Sequence, residues 1–257
     1  MLAAFGMTSV SPSASAKPPD WAPGAPPSTP PPLCFLAGTR IRTPQGEICI
    51  EDLKIGDEVE TTRRAAQPIK WIGRQVFKRS GTSWAEAFLP IRVSQFALDA
   101  QTPHTDLYLS PWHSLLIDGF LMPLTELVNG VSIRPAMPPG RQVIEYFNIL
   151  LDSHEVILAD GAPAETICMR NGEEAELFTN FIEYERLYRS ARPLMEPFAP
   201  LCYHAGGRAH LSALVRLGVF NISRAFGSSA SIDLRDPAQI AYERIARIAA
   251  RRDFHLC

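Results

Sequence analysis

Short runs of alternating apolar and polar residues occupy most of the chain between residues 39 and 168. Two of them, residues 39–43 and 47–51, flank Pro44-Gln45-Gly46, a sequence typical of a hairpin turn. Alternation with a period of two predicts half-buried β-strands. Similar runs follow at residues 58–62, 69–77, 90–94, 106–110, 114–117, 143–151 and 155–159. The pattern therefore predicts one compact, mainly β domain with mostly antiparallel strands.

Two Asp-Gly pairs sit between apolar runs, at Asp118-Gly119 and Asp160-Gly161. A two-residue hairpin loop of type I′ needs a positive φ at both central positions, and Asp-Gly tolerates this. We therefore expect a tight hairpin at each pair.

The pattern changes after Gly172. Residues 173–189 carry apolar side chains at helical spacing, and residues 210–226 form a weaker helix candidate. Asp236-Pro237 has the form of an N-cap followed by proline at the first helical position, and it opens a third predicted helix that runs through Ala250. On this last helix Arg244, Arg247 and Arg251 share one face, for which a solvated surface is the default interpretation.

The N-terminal part has a composition that does not favour folding. Residues 11–33 contain nine of the 23 prolines of the chain, mixed with Ser, Ala and Gly, and such a segment favours extended, solvated conformers. The first 16 residues lack a basic region before a sustained apolar core, so we expect no signal peptide. The expected division is a disordered arm (1–33), a β domain (34–170) and a mostly helical C-terminal extension (171–257).

Charge, apolar runs and cysteine content limit the classes of partner, compartment and cofactor that the sequence supports. The chain has 25 basic and 27 acidic residues, a net charge of -2, which predicts no nucleic-acid partner. No apolar run reaches the roughly 20 residues that span a bilayer. The five cysteines are odd in number and include no Cys-x-x-Cys pair, which favours a reducing compartment such as the cytoplasm, although non-classical secretion stays open. Cys202 with His204 and His210 is a weak metal candidate, and we expect neither a metal nor an organic cofactor.

Cys34 ends the proline-rich arm and begins the folded part, where its thiol is placed to attack the peptide bond that precedes it. The segment behind it resembles the opening of the Hint (Hedgehog/intein) family of self-processing domains. The elements that carry the resemblance are Cys34 itself, Gly38-Thr39, a hairpin turning at Gly46, Ile-Glu-Asp-Leu at 50–53 and Gly-Asp-Glu-Val at 56–59. The resemblance implies a Hint-type all-β fold and an N-to-S acyl shift at the Leu33–Cys34 bond.

A second motif, Ser110-Pro-Trp-His113, resembles the Thr-x-x-His motif of Hint domains. By this resemblance His113 would donate a proton to the amide nitrogen of Cys34, and Ser110 would orient the amide or the imidazole. A pKa near 6.5 would suit a histidine to that exchange at neutral pH. Taken in isolation, a histidine before a strand is more often structural.

The segment from residue 146 to 166 resembles the closing Hint motif, in which a histidine-bearing strand leads into a hairpin. By resemblance His154 would lie near the active centre and assist the acyl shift or the step after it. Asp152 is a candidate partner of His154, and Thr166 is a candidate supporting hydroxyl. A purely structural role for His154 is nearly as plausible.

Departures from the family pattern matter as well. Inteins end with His-Asn, whereas the matching place here reads Ala164-Glu165-Thr166, and the chain continues to Cys257. We therefore expect no full splicing. The sterol-binding extension of hedgehog proteins is not recognisable, while Ala191-Arg192-Pro193 resembles a bacterial Hint subgroup.

The sequence thus predicts single-turnover self-processing in cis. Its substrate would be the chain's own N-terminal segment, and the thioester would be resolved by water or another, unidentified nucleophile. Two alternatives stay open: an inactive Hint fold that serves as a structural or interaction module, and a cysteine hydrolase acting in trans through Cys34 and His113.

Overall fold

The fold is built almost entirely from short antiparallel strands. The computed structural model describes residues 33–63, 65–79, 84, 88–171, 173–188, 194–202 and 236–253. Its strands are β1 (Phe35–Leu36), β2 (Arg40–Thr43), β3 (Gly46–Cys49), β4 (Glu58–Val59), β5 (Gln67–Pro68), β6 (Trp71–Lys78), β7 (Ile91–Val93), β8 (Leu107–Leu109), β9 (Ser114–Ile117), β10 (Phe120–Pro123), β11 (Ile133–Pro135), β12 (Val143–Leu150), β13 (Val156–Ala159) and β14 (Ala162–Glu165). The helices are α1 (Leu124–Leu127), α2 (Phe181–Tyr188) and α3 (Pro237–Asp253), with 3-10 turns at Ile50–Asp52 and Glu174–Leu177.

The mainly β prediction is confirmed, because every predicted strand overlaps an observed one. Both Asp-Gly pairs form two-residue hairpin loops. Asp118 and Gly119 have φ of 52° and 86°, and Asp160 and Gly161 have φ of 49° and 81°. Aspartate and glycine are among the residues that tolerate this left-handed region, which explains why the pairs occur at these turns.

Two six-stranded sheets make up most of the domain. The first has the order β11-β7-β8-β1-β12-β6, and the second has the order β10-β9-β14-β13-β2-β3. A small third sheet joins β4 and β5. In the first sheet β1 lies between β8 and β12, and in the second β9 lies beside β14. The pairing of β1 with β8 and β12, and of β9 with β14, brings residues that are distant in sequence close to the start of β1.

Two hydrophobic clusters lie on opposite sides of β1. Phe35 joins the larger cluster, which contains residues of both large sheets, including Ile41, Leu115 and Ile149. Cys34 and Leu36 belong to the second cluster with Trp71 and Tyr146. This division follows from the period of two along a strand. Burying one large apolar side chain stabilises the fold by about 1.5–3 kcal/mol, so the junction before β1 is fixed from both faces.

The predicted helix at 173–189 is interrupted, and this corrects the expectation of a continuous helix. Phe178 packs against Gly73 so closely that a Cβ there would lie 2.5 Å from its ring. Asn180 then pairs with the backbone of β6, accepting from the Arg74 N–H at 2.8 Å and donating to the Ile72 carbonyl at 2.9 Å. Docking on the sheet therefore breaks the helix into a 3-10 turn and α2.

The last predicted helix is confirmed as α3. The Asp236 carboxylate accepts a hydrogen bond from the Ala238 N–H at 2.9 Å, as an N-cap does, and Pro237 is the first helical residue. The buried side chains of Ala238, Ala241 and Ile245 join the larger core cluster. On the arginine face, Arg244 pairs with Asp118 at 2.9 Å.

Several expectations fall outside the described residues: the disordered arm before Leu33, the helix at 210–226, and the Ala191-Arg192-Pro193 motif. Within the described part of the chain, no helix combines the length and apolar character that crossing a membrane requires.

Candidate active site

The register of the first sheet places two side chains beside Cys34. In β1, Phe35 pairs with Leu109 on one side and with Phe147 on the other. Both pairings are antiparallel, so the residue before Phe35 lies opposite the residue after each partner. Cys34 is therefore flanked by Ser110, which follows β8, and by Asn148, which lies within β12. All three residues are buried, with exposed fractions of 2% or less.

Both polar atoms of the Leu33–Cys34 peptide bond are held by these neighbours. The Cys34 N–H donates to Ser110 Oγ at 2.8 Å, and the Asn148 side-chain N–H donates to the Leu33 carbonyl oxygen. The orientation of the Asn148 amide is fixed by its other atom, since Oδ1 accepts the Ile149 N–H at 2.7 Å. Only an oxygen can accept there, so the nitrogen must face Leu33.

His113 lies one turn after Ser110. The backbone N–H of His113 donates to the Ser110 carbonyl at 3.1 Å. The imidazole ring packs edge-on against Phe35, with the ring centroids 4.5 Å apart. The side chain is fully buried. Neither ring nitrogen meets the geometry of a hydrogen bond to a described residue, although the backbones of Glu165 and Cys34 are near enough to favour the protonated ring.

The protonation state of His113 differs from the expected one. Burial lowers the pKa of His113 to about 4, and the charge of Glu165 offsets this only in part. At neutral pH the ring is therefore neutral, with on the order of one molecule in a thousand protonated. To donate a proton to the Cys34 nitrogen, as expected from the sequence, His113 would first have to take that proton from another group.

The Cys34 thiol is a candidate source of such a proton. Complete burial raises the pKa of this thiol well above its ordinary value, because a thiolate would lose its hydration. Cys34 and His113 are therefore both uncharged at neutral pH. Transfer of the thiol proton to the imidazole would create the nucleophile and the acid in one step.

Glu165 supplies the negative charge of the site. Ala164 of β14 pairs with Leu115 of β9, and the Glu165 carboxylate accepts the Ser114 N–H at 2.9 Å. The other carboxylate oxygen lies 3.4 Å from His154 Nε2. Burial acts to raise the pKa of Glu165, but the interactions with His154, His113 and Ser114 outweigh it and the pKa is lowered. The buried carboxylate is therefore ionised at neutral pH, next to the ring that would become an imidazolium.

His154 lies on the far side of Glu165 from Ser114. Its Nδ1 accepts a hydrogen bond from the Phe198 N–H at 3.0 Å, and its side chain is 2% exposed. The 3.4 Å separation from Glu165 is long for an N–H···O hydrogen bond, so this contact is mainly electrostatic.

The two supporting residues expected from sequence lie elsewhere. The Asp152 side chain is 62% exposed and pairs with Lys70 at 3.1 Å, so the carboxylate beside His154 is Glu165 and not Asp152. Thr166 is buried, and its hydroxyl both accepts from the Glu155 N–H and donates to the Glu155 carbonyl at 3.1 Å. Its hydroxyl thus ties two backbone segments together.

Asn148 and Glu165 are site residues that sequence reasoning does not single out for this chemistry. Each is a polar residue in an otherwise apolar strand segment, which is a signal in itself because buried polar groups need partners. The partners are set by strand register, which the local pattern does not reveal.

The described residues contain no group of three or more His, Cys, Asp or Glu side chains placed to hold a metal ion. The thiol of Cys202, part of the weak metal candidate, instead faces Asp236 Oδ1 at 3.6 Å. His204 and His210 lie outside the described residues.

The family model of the Hint domain matches residues 33–171, more than half of the 257-residue chain. This chain belongs to the Hint domain family. The match begins at Leu33, the residue before Cys34, and covers every side chain of the site. Only the backbone N–H of Phe198, which donates to His154, lies beyond it.

Solved structures similar to this Hint protein include inteins and an intein-like domain. The bacterial intein-like domain from Clostridium thermocellum is 15% identical, with a TM-score of 0.37, over 52% of this chain and 98% of its own. The gp41-1 intein is 14% identical, with a TM-score of 0.38, over 51% of this chain and 97% of its own. A DnaB intein from Synechocystis is 12% identical, with a TM-score of 0.37, over 52% and 99%. A sequence search of curated proteins gave no match.

Proposed function

We propose that this Hint protein processes itself at the Leu33–Cys34 bond by an N-to-S acyl shift. The observation that carries the proposal is the way the bond is held: Asn148 donates to its carbonyl oxygen and Ser110 accepts from its nitrogen. A side-chain donor on the carbonyl oxygen is what stabilisation of a developing oxyanion requires.

The first step forms a bond between Cys34 Sγ and the Leu33 carbonyl carbon. The thiol proton passes to His113, and the electron pair of the carbonyl moves onto the oxygen, where Asn148 donates to it. The resulting imidazolium is stabilised by the ionised Glu165 carboxylate. The imidazolium and the oxyanion exist only in this intermediate and the transition states beside it, so their stabilisation by Glu165 and Asn148 lowers the barrier without stabilising the resting state.

Collapse of the intermediate breaks the C–N bond. The nitrogen takes the proton from His113, the carbonyl re-forms, and a thioester joins Leu33 to Cys34 while the Cys34 amine is freed. This exchange is uphill, because the amide gives up the resonance that creates a rotation barrier of roughly 18–20 kcal/mol. The hydrogen bond from the nitrogen to Ser110 fixes the amide for this proton transfer.

The second step resolves the thioester. Attack by water gives the Leu33 carboxylate and regenerates the Cys34 thiol, which releases the segment that ends at Leu33. Another nucleophile would receive the same acyl group. The reaction is then a single turnover within one chain, and it requires no cofactor.

Splicing at the downstream end is not part of the proposal. Glu165 is a buried carboxylate paired with Ser114 and His154, and it has no amide nitrogen that could cyclise. The Thr166 hydroxyl is occupied by Glu155. Both side chains serve the site or the fold, and the chain continues through them.

One observation favours the alternative of an inactive Hint module: burial raises the pKa of the Cys34 thiol and so disfavours the thiolate. The same burial disfavours a hydrolase that acts on other chains, because Cys34 is 0% exposed.

The intact mass of the full chain, expressed and incubated at neutral pH, tests the proposal. We expect fragments 1–33 and 34–257 from the wild type and from Cys49→Ala, a control in which another free thiol is removed. Cys34→Ala should remain whole. A wild type that stays intact would support the inactive module, and cleavage of Cys34→Ala would show proteolysis by another route.

A further inference from the structure

Residues 194–202, which we call the closing segment, lie beyond the part of the chain that matches the Hint model and yet contact the site. Hydrogen bonds attach this segment at three places. Met195 N–H donates to the Met169 carbonyl at 2.7 Å, and Phe198 N–H donates to His154 Nδ1 at 3.0 Å. Further on, the Pro200 carbonyl accepts from the Leu121 N–H at 2.9 Å.

Packing fixes the middle of the closing segment. Phe198 is 7% exposed and forms a small buried cluster with Leu121, Val156 and Ala199. The guanidinium of Arg63 lies 3.6 Å from the centre of the Phe198 ring, a cation–π contact. The Phe198 backbone therefore has a defined position relative to His154.

The hydrogen bond from Phe198 determines where His154 carries its proton. An N–H can donate to Nδ1 only if that nitrogen presents a lone pair, so in the neutral ring the proton must be on Nε2. Nε2 is the atom that faces Glu165, 3.4 Å away. Without the Phe198 donor the proton could reside on Nδ1, and Nε2 would present a lone pair to the carboxylate.

Glu165 in turn depends on this choice. One of its oxygens is held by the Ser114 N–H, and the other faces His154 Nε2. A proton on Nε2 attracts that oxygen, and a lone pair repels it. The tautomer of His154 thus sets the orientation of the carboxylate whose charge acts on His113.

We propose that the closing segment is part of the active site, in which the Phe198 N–H acts as a positioning group that fixes the Nε2–H tautomer of His154 and so holds the Glu165 carboxylate in place. Its consequence for cleavage rests on the proposed function, whereas the tautomer and the hydrogen bond can be measured without any cleavage. The Hint-matched region then depends on the chain that follows it for a complete site.

The first test uses the unaltered sequence apart from Cys34→Ala, which keeps the chain whole. In the ¹⁵N-labelled protein we expect the ring nitrogen shifts of His154 to report protonation at Nε2, and a scalar coupling across the hydrogen bond between the Phe198 amide and Nδ1. A ring protonated at Nδ1, or the absence of the coupling in a spectrum that resolves both nitrogens, would overturn the proposal.

A second test removes the donor. Phe198→Pro deletes the N–H, and Phe198→Leu is the matched control because it keeps the N–H while shortening the side chain. We expect Phe198→Pro to lose the Nε2–H signature and to slow thioester formation by roughly 10- to 100-fold, the loss typical when the partner that orients a metal-bound histidine is removed. Phe198→Leu should keep the signature, and equal losses in both variants would contradict the proposal.

A double-mutant cycle separates positioning from general damage. In His154→Gln the side-chain amide can still donate to Glu165 but has no tautomer to fix. Phe198→Pro should therefore have much less effect on the rate in the His154→Gln background than in the wild type. Equal effects in the two backgrounds would show that the closing segment acts through the fold alone. If the wild type does not cleave, the proposed function fails, while the spectra still decide the tautomer.

Discussion

Replacing Asn148 with alanine should slow thioester formation far more than it destabilises the fold. The Asn148 side chain donates to the Leu33 carbonyl oxygen, the atom that gains charge when Cys34 attacks. Its other atom accepts the Ile149 N–H at 2.7 Å. The variant therefore removes one interaction that strengthens in the transition state and one that only maintains the strand.

The two losses have different sizes. Removing one oxyanion donor typically costs about 10²- to 10³-fold in rate, or about 2.7–4 kcal/mol in the barrier. Leaving the buried Ile149 N–H without its acceptor costs about 1–3 kcal/mol of folding free energy. The domain should remain folded at moderate temperature, since such a loss is only a part of the usual 5–15 kcal/mol.

The assay is the rate at which fragment 34–257 accumulates, measured by mass spectrometry in excess hydroxylamine, together with thermal unfolding. Asn129→Ala is a matched control, because Asn129 Oδ1 accepts three backbone N–H groups, from Val131, Ser132 and Ile133, at 3.0 Å each. It should destabilise the domain without slowing cleavage. If folded Asn148→Ala cleaves at the wild-type rate, the oxyanion assignment is wrong.

Three further predictions follow from the site. His113→Ala should slow thioester formation by roughly 10²- to 10⁴-fold. The control His104→Ala removes an exposed histidine paired with Glu47 and should leave the rate unchanged. Equal rates in the two variants would return His113 to a structural role. Because the pKa of His113 is lowered to about 4, the unfolded chain binds more protons between pH 6.5 and 4, and the free energy of unfolding should fall by about 3 kcal/mol as the pH drops through that window. Denaturant titrations should show a smaller fall for His113→Asn, and parallel curves would contradict the assigned burial. No cleavage should occur next to Glu165 or Thr166, and a ligated product that lacks residues 34–165 would restore full splicing.

Much of the β structure can be predicted from local sequence, because it depends on period-two alternation and on turn chemistry. The predicted runs 39–43 and 47–51 overlap the two strands of the β2–β3 hairpin, and both Asp-Gly pairs have the positive φ that their turns need. The strands that the pattern does not predict have a physical reason for weak signals. Phe35–Leu36 and Gln67–Pro68 are only two residues long, and Ile133–Pro135 has three residues. Ala162–Glu165 contains Pro163, and Phe120–Pro123 is apolar throughout and does not alternate.

The site is predictable only as far as its residues follow one another in motifs. Cys34, Ser110, His113 and His154 can be proposed from their sequence surroundings. Asn148 and Glu165 owe their positions to pairing between distant strands, Phe35 with Phe147 and Leu115 with Ala164. Sequence proximity favours Asp152 as the partner of His154, but Asp152 is exposed and pairs with Lys70. The low pKa of His113 is likewise a consequence of burial, which depends on the whole fold.

The most direct test of self-processing is to trap the thioester. Full-length protein is purified, incubated with hydroxylamine at neutral pH, and compared with Cys34→Ala treated in the same way. We expect a released fragment that ends at Leu33 as a hydroxamate, together with residues 34–257 bearing a free N-terminal cysteine, and no fragment from Cys34→Ala. A folded wild type that gives no hydroxamate, or a variant that gives the same fragment, would contradict self-processing.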